Sequence, residues 1–256
     1  MPSALKRARR PSIRIRGELE LRREIAGYLA IGIDCSPSQI IVTGGYGAGL
    51  GMAFRVLGLE GEKAWIEDPG FPFTRKGLEL ARLSLAPIPV DADGINVDHG
   101  FRHAPDAKLV VVTPGQQAPL GPTLSLERRL RLLDWAAASG VWVIEDDYLS
   151  ELQLAGRAAP ALASLDRAGR VIHIGSFSKT ISPAIRLGFI VAPIDLMAAL
   201  PRLQRVSPRR RAFGAARGRR IHEGRPLSAP PPPYEARLCR QAGRLAGAAS
   251  APFRRR

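Results

Sequence analysis

Two periodicities alternate along the chain. From Glu18 to Leu29 apolar residues recur at helical spacing, with Leu19, Leu21, Ile25, Tyr28 and Leu29 able to share one face. Ser36-Pro37-Ser38 breaks that pattern, and residues 39–43 then read as a strand. A glycine run from Gly44 to Gly51 follows the strand and opens a helix. Further strand-like runs lie at 63–67, 84–90, 108–113, 141–144, 171–174 and 187–192. Runs such as Val110-Val111-Val112 are apolar at every position, as in strands covered on both faces. Helical patterns fall between them at 73–82 and 125–138, and a last one at 194–200 ends before Pro201. Ser125 is a candidate N-cap, with Arg128 three residues on, so no capping box is expected. Residues 91–94 form a turn, and the stretch around His99 and His103 reads as loop. Strand and helix alternating from about 39 to 200 predict an α/β fold, a mostly parallel central sheet with flanking helices.

The periodicity stops at both ends. Residues 1–17 are predicted as a disordered basic segment, 18–205 as the folded domain, and 206–256 as a disordered Arg/Pro-rich tail. The tail has no lysine and carries four consecutive prolines, Pro230–Pro233. Two readings of it compete: a nucleic-acid-binding tail, and an out-of-frame reading of a GC-rich gene, which the Arg, Pro, Ala and Gly bias favours.

Charge sharpens this division. The net charge of +15 is entirely terminal: residues 1–23 carry +6, residues 201–256 carry +13, and the middle is left at −4. The foldable part therefore has no electrostatic reason to bind nucleic acid. No window has the length of unbroken apolar sequence that a membrane span needs, and the basic N-terminus lacks the apolar core of a signal peptide. Cys35 and Cys239 are the two cysteines, so no disulfide framework or cysteine metal cluster is expected. No third ligand accompanies His99 and His103, and no metal site is expected. The default compartment is the cytoplasm.

The candidate chemistry centres on Gly175 to Gly188, which follows the strand at 171–174. It holds Ser176, Ser178, Lys179, Thr180, Pro183 and Arg186. Strand ends are where open α/β sheets place ligands. The chain uses 5 lysines against 33 arginines, which marks Lys179 as a place where a guanidinium would not serve. An amine can condense with an aldehyde, whereas a guanidinium stays protonated. A solvated loop lysine is the plainer reading. Ser176 and Lys179 also match the Ser-x-x-Lys pair of penicillin-binding proteins, but the Ser-Asp-Asn and Lys-Thr-Gly partners are missing. Two other loops carry chemistry. The glycine run after residue 43 can cradle a phosphate on backbone N–H groups, although it matches no dinucleotide fingerprint. Glu145-Asp146-Asp147 at a strand end reads as a solvated acidic turn, a magnesium site, or a partner for a cationic ligand.

The pattern S-x-S-K-T-x-x-P-x-x-R-L-G resembles the Schiff-base lysine segment of fold-type I pyridoxal-phosphate enzymes, the class I/II aminotransferases. Ile144 to Glu151 is similar to the I-E-D-D-Y-D-S-E signature of the MocR branch of GntR-type regulators, with Leu149 in place of Asp. Thr113 to Gly121 is similar to their T-P-x-x-Q-x-P-[TS]-G stretch, with Leu120 in place of the hydroxyl residue. Ala118 stands where many aminotransferases carry the asparagine that bonds the cofactor's phenolic oxygen.

The resemblance implies that residues 18–205 form the large domain, with the small domain missing. Lys179 would hold pyridoxal 5'-phosphate as a Schiff base, and Asp146 would keep its ring nitrogen protonated. Tyr148 would bond the phenolic oxygen and Phe71, after Pro69-Gly70, would stack on the ring, core packing being the alternative for that aromatic. Gly45, Tyr46 and Gly47, with Ser176, Ser178 and Arg186, would hold the phosphate. The implied activity is amino-group transfer, or sensing of a small amine or amino acid as part of a regulator. A homodimer is implied, and DNA contact only through a winged-helix domain not present in this sequence. An inactive truncated relic and a basic nucleic-acid-binding module are the competing functions.

Overall fold

The computed structural model describes residues 16–147, 160–178, 184 and 186–198. Lys179 and Tyr148 lie outside those residues, as do the basic segment up to residue 15 and everything from residue 199 on.

The chain enters through α1 (Leu19–Leu29), which buries Leu21, Ile25 and Leu29 on one side. The 3-10 turn Pro37–Gln39 is closed by reciprocal bonds between Ser36 and Gln39. Then follow β1 (Ile40–Thr43), α2 (Tyr46–Leu57), β2 (Lys63–Asp68), α3 (Pro72–Leu80), β3 (Ser84–Asp91) and β4 (Gly94–Ile95). The second half holds α4 (Val97–His103), β5 (Leu109–Val112), α5 (Leu126–Ser139), β6 (Trp142–Asp147), α6 (Leu162–Leu165), β7 (Val171–Ser176) and β8 (Gly188–Val191).

The strands form one sheet in the order β1-β8-β7-β6-β5-β2-β3-β4. Pairings β2–β3, β2–β5, β5–β6 and β6–β7 are parallel. β8 is antiparallel to both its neighbours, β7 and β1, so β1 runs with the parallel set. Short β4 turns back on β3 at the far edge. The expected α/β class and mostly parallel sheet are therefore present.

Because strand side chains alternate, each sheet face has its own core. On one face Ile66, Val111, Ile144, Ile172 and Ile174 pack with Leu50 and Phe54 of α2 and Leu78 of α3. On the other, Trp65, Val110, Val143 and Val171 pack with Val97 of α4 and Leu132, Leu133 and Ala136 of α5. Burial of such side chains contributes about 1.5–3 kcal/mol each. Helix α1 covers the β1–β8 end through Leu21 and Ile25 against Ile40, Phe189 and Val191. Among the described residues, no helix is long and apolar enough to cross a membrane.

Two local expectations need correcting. The stretch at His99 and His103 is helix α4, not loop, and the two imidazoles stack at 3.9 Å on one side of it. Asn96 starts the helix by accepting the His99 N–H at 2.9 Å, and Val97 anchors it in the core. The strand expected at 141–144 continues through the acidic residues to Asp147. Ser125 does cap α5, accepting the Arg128 N–H at 3.4 Å.

Candidate active site

The parallel strands end together at one edge of the sheet. β1 ends at Thr43, β7 at Ser176, and β8 begins at Gly188, which pairs with both. β6 ends nearby at Asp147, and β5 and β2 follow in the sheet order. The loops after β1, β2, β5 and β7 therefore open on the same side.

Helix α2 starts at this edge. Its N-cap, Gly45, has φ 99°, a conformation that a residue with a Cβ adopts with strain. The first intrahelical bond runs from the Gly49 N–H to the Gly45 carbonyl at 3.1 Å. The N–H groups of Tyr46, Gly47 and Ala48 precede it and face outward with the positive end of the helix dipole, an arrangement suited to an anion. Backbones crowd here: a Cβ on Gly188 would lie 2.9 Å from the Gly45 backbone and 3.0 Å from the Gly175 carbonyl oxygen. One on Gly45 would lie 3.9 Å from the Arg186 carbonyl oxygen. The glycine turn, Ser176 and Arg186 are thus neighbours. Ser176 Oγ accepts the Ser178 N–H at 3.3 Å. Arg186 is exposed and has φ 48°, a left-handed conformation uncommon for a residue with a side chain.

The acidic run is divided by strand alternation. Asp146 pairs with Ile174 and shares its sheet face with Ile144, toward α2. It is 5% exposed. Burial pushes its carboxyl up to about 8, with the Glu67 and Asp147 charges adding to the rise and the Tyr46 hydroxyl opposing it. Glu145 and Asp147 belong to the opposite face. Glu145 accepts the Leu162 N–H at 2.7 Å and the Ala163 N–H at 3.0 Å, and meets His173 Nδ1 at 2.9 Å. His173 Nε2 lies 3.5 Å from Asp147 Oδ2. Burial alone would raise Glu145, but the His173 bond and charge outweigh it and hold the carboxyl below its ordinary range. Burial would lower His173, yet the bond to Glu145 and the acids around it raise it. The run is therefore neither a solvated turn nor a metal cluster. Among the described residues no group of three or more His, Cys, Asp or Glu is placed to hold a metal ion.

Tyr46 links these parts. Its hydroxyl is 2.9 Å from Thr74 Oγ1 and faces the Asp146 carboxyl. Burial, then the Asp146 charge, pushes the phenol well above its ordinary value. Phe71, the N-cap of α3, is 38% exposed at the same edge, its ring centroid 6.4 Å from that of Tyr46.

Sequence reasoning missed Glu67. It is buried at the end of β2 and accepts the Thr113 N–H at 3.0 Å and Gln117 Nε2 at 3.3 Å. Gln117 also donates to the Pro69 carbonyl at 2.8 Å and accepts the Leu120 N–H at 3.1 Å, tying the β5 loop to the β2 loop. Burial raises Glu67, with these hydrogen bonds opposing. Nothing in the sequence singles out Glu67, since Thr113 donates through its backbone N–H and Gln117 lies 50 residues away.

Of the residues expected to form the site, Gly45, Tyr46, Gly47, Phe71, Asp146, Ser176, Ser178 and Arg186 fall on this one edge. Comparison with known proteins gives the arrangement its context. The family model for aminotransferases of class I and II matches residues 3–209. The chain belongs to that family.

This aminotransferase domain is 40% identical over 191 residues to the probable rhizopine catabolism regulatory protein MocR of Rhizobium meliloti, covering 74% of this chain and 38% of that protein. It is 42% identical over 176 residues to the HTH-type transcriptional regulator TauR of Rhodobacter capsulatus, covering 68% of this chain and 35% of that protein. Among solved structures, an archaeal alanine:glyoxylate aminotransferase superposes with TM-score 0.66 at 30% identity, covering 75% of this chain and 50% of that one. The multiple substrate aminotransferase of Thermococcus profundus gives TM-score 0.67 at 27% identity, covering 75% and 50%. The aminotransferase domain thus spans well under half of the curated regulators it matches and about half of the solved enzymes. Its sheet and flanking helices are those of the pyridoxal-phosphate-dependent aminotransferase fold.

The side chains suit that cofactor in kind. A buried acid can hold a pyridinium N–H, an aromatic at a loop tip can cover a flat ring, and a helix N-terminus beside Ser and Arg can hold a phosphate.

Proposed function

We propose that this domain binds pyridoxal 5'-phosphate at the carboxyl edge of its sheet and acts on the amino group of a small amine or amino acid, as part of a MocR/GntR-type regulator. The observation that carries the reading is Asp146, a deeply buried acid at the carboxyl end of β6, on the sheet face toward α2. An acid so placed is expensive unless a cationic or hydrogen-bonding ligand meets it. When bound, the cofactor supplies an electron sink.

Asp146 would keep the ring nitrogen protonated, and Phe71 would cover the ring. The turn at Gly45, Tyr46 and Gly47 would hold the phosphate together with Ser176, Ser178 and Arg186. Lys179, directly after Ser178, would be the covalent anchor, and Tyr148, directly after Asp147, would reach the phenolic oxygen. Residues 18–205 would be the cofactor domain, acting in the cytoplasm as one half of a homodimer. DNA contact would belong to a winged-helix domain and not to this one.

Reductive trapping tests the reading. The full chain is incubated with pyridoxal phosphate, reduced with borohydride and digested. The expected result is one modified peptide carrying Lys179. Label spread over Lys63, Lys76 and Lys108, or no label, would remove the proposal.

A further inference from the structure

We infer that the Tyr46 side chain occupies the place of the ring ligand, and that affinity for a flat, phosphorylated heterocycle is set by the work of displacing it. The inference rests on the cofactor reading above and concerns what this chain adds to it. Phe71 and Asp146 are the groups that would meet the face and the nitrogen of a pyridine ring. Tyr46 already reaches toward both positions: its buried hydroxyl lies close enough to the Asp146 carboxyl for each group to shift the other's ionisation, and its ring lies 6.4 Å from that of Phe71 at an interplanar angle of 56°. A phenol imitates a protonated pyridine, being a six-membered aromatic ring with one hydrogen-bond donor in its plane. Thr74 Oγ1, at 2.9 Å, fixes the hydroxyl from the other side.

The tyrosine also has somewhere to go. It is the first residue of α2, so no earlier helical turn lies behind its side chain. Beside it a cleft of about 850 Å³ runs between α2 and α3, lined by Gly47, Leu50, Gly51, Phe73 and Gly77. A Cβ at Gly47 or Gly51 would meet nothing within 4 Å, so this wall leaves room for a ring. Phe73 and Leu80, at 74% and 75% exposed, offer it apolar cover. Swinging into the cleft would free Asp146 without moving the backbone N–H groups of the α2 turn.

The test uses the full chain as wild type, Tyr46→Phe and Tyr46→Ala, with 4'-deoxypyridoxine phosphate as probe. That compound has the ring and phosphate but no aldehyde, so its binding does not depend on Lys179. Equilibrium binding is measured by calorimetry, and thermal melts are recorded with and without the probe. Losing the hydroxyl's bonds shifts the closed–open balance by about tenfold, or about 1.4 kcal/mol. Tyr46→Ala is expected to bind at least that much tighter than wild type, with Tyr46→Phe between them. Its ligand-free melt should fall while the probe-induced gain grows. Affinity in Tyr46→Ala equal to or weaker than wild type would overturn the inference and leave the cofactor site standing. Absence of binding in all three would remove the cofactor site, and the tyrosine's role with it.

Discussion

Asn in place of Asp146 isolates the cost of the buried acid. Burial, which penalises the charged form, pushes its carboxyl up to about 8 in the folded protein from an ordinary 3.8. Between those values the folded state binds a proton that the unfolded state has released. Stability must therefore fall as pH rises through this window. Each pH unit is worth about 1.4 kcal/mol for one group, so the step from pH 5 to pH 8 removes up to about 4 kcal/mol. Glu67 is raised by burial and slopes the same way. His173 is raised through its bond to Glu145, and its contribution is lost as pH climbs past its folded value. Glu145 is lowered, so its contribution is lost only in acid, outside the window. Asp146→Asn keeps the shape and removes the titration. Urea unfolding at pH 5, 6, 7 and 8 should show the wild type losing stability and the variant losing markedly less. Parallel curves for the two proteins would refute the reasoning, because the acid would then ionise as freely folded as unfolded.

Three further outcomes follow from other contacts. Glu145→Gln removes the nearer of the two acids beside the buried His173, leaving Asp147 at 3.5 Å, and should cost about 3 kcal/mol by urea unfolding, while the added change His173→Leu should recover much of that loss. Gly188→Ala drives a methyl into the Gly45 backbone and the Gly175 carbonyl and should cost about 2–3 kcal/mol, read from the thermal midpoint. Ser125→Ala removes the cap of α5 and should cost about 1 kcal/mol in the same assay; no change would mean that the 3.4 Å bond contributes nothing.

The fold was largely legible because the strands are covered on both faces. Val110-Val111-Val112 and Val171-Ile172 leave no polar position for solvent, and the apolar runs marked the sheet. The direction of β8 was not legible, since a run such as Gly188–Val191 reads alike in either orientation and only its place between β1 and β7 decides. Helix α4 was missed because seven residues with a central glycine carry little periodicity. Gly100 is there so that the helix can lie against the Trp65 ring, a tertiary demand. In the site, single-residue chemistry was visible and pairing was not. Asp146 could be singled out at a strand end, but it is the continuation of β6 through the acids, in register with β7, that sets Glu145 against His173 and Asp146 toward α2. Nothing in the spacing of Tyr46, Thr74 and Asp146 announces that one phenol bonds Thr74 and feels the Asp146 charge.

The central claim is that the strand edge holding Asp146 and the α2 N-terminus is a cofactor site anchored by Lys179. Its most direct measurement is the visible absorbance of the full chain after incubation with pyridoxal phosphate and gel filtration, for wild type beside Lys179→Ala. A visible band retained by the wild type and lost in the variant is the expected result. A wild type that emerges colourless, or a variant that keeps the same band, would contradict it.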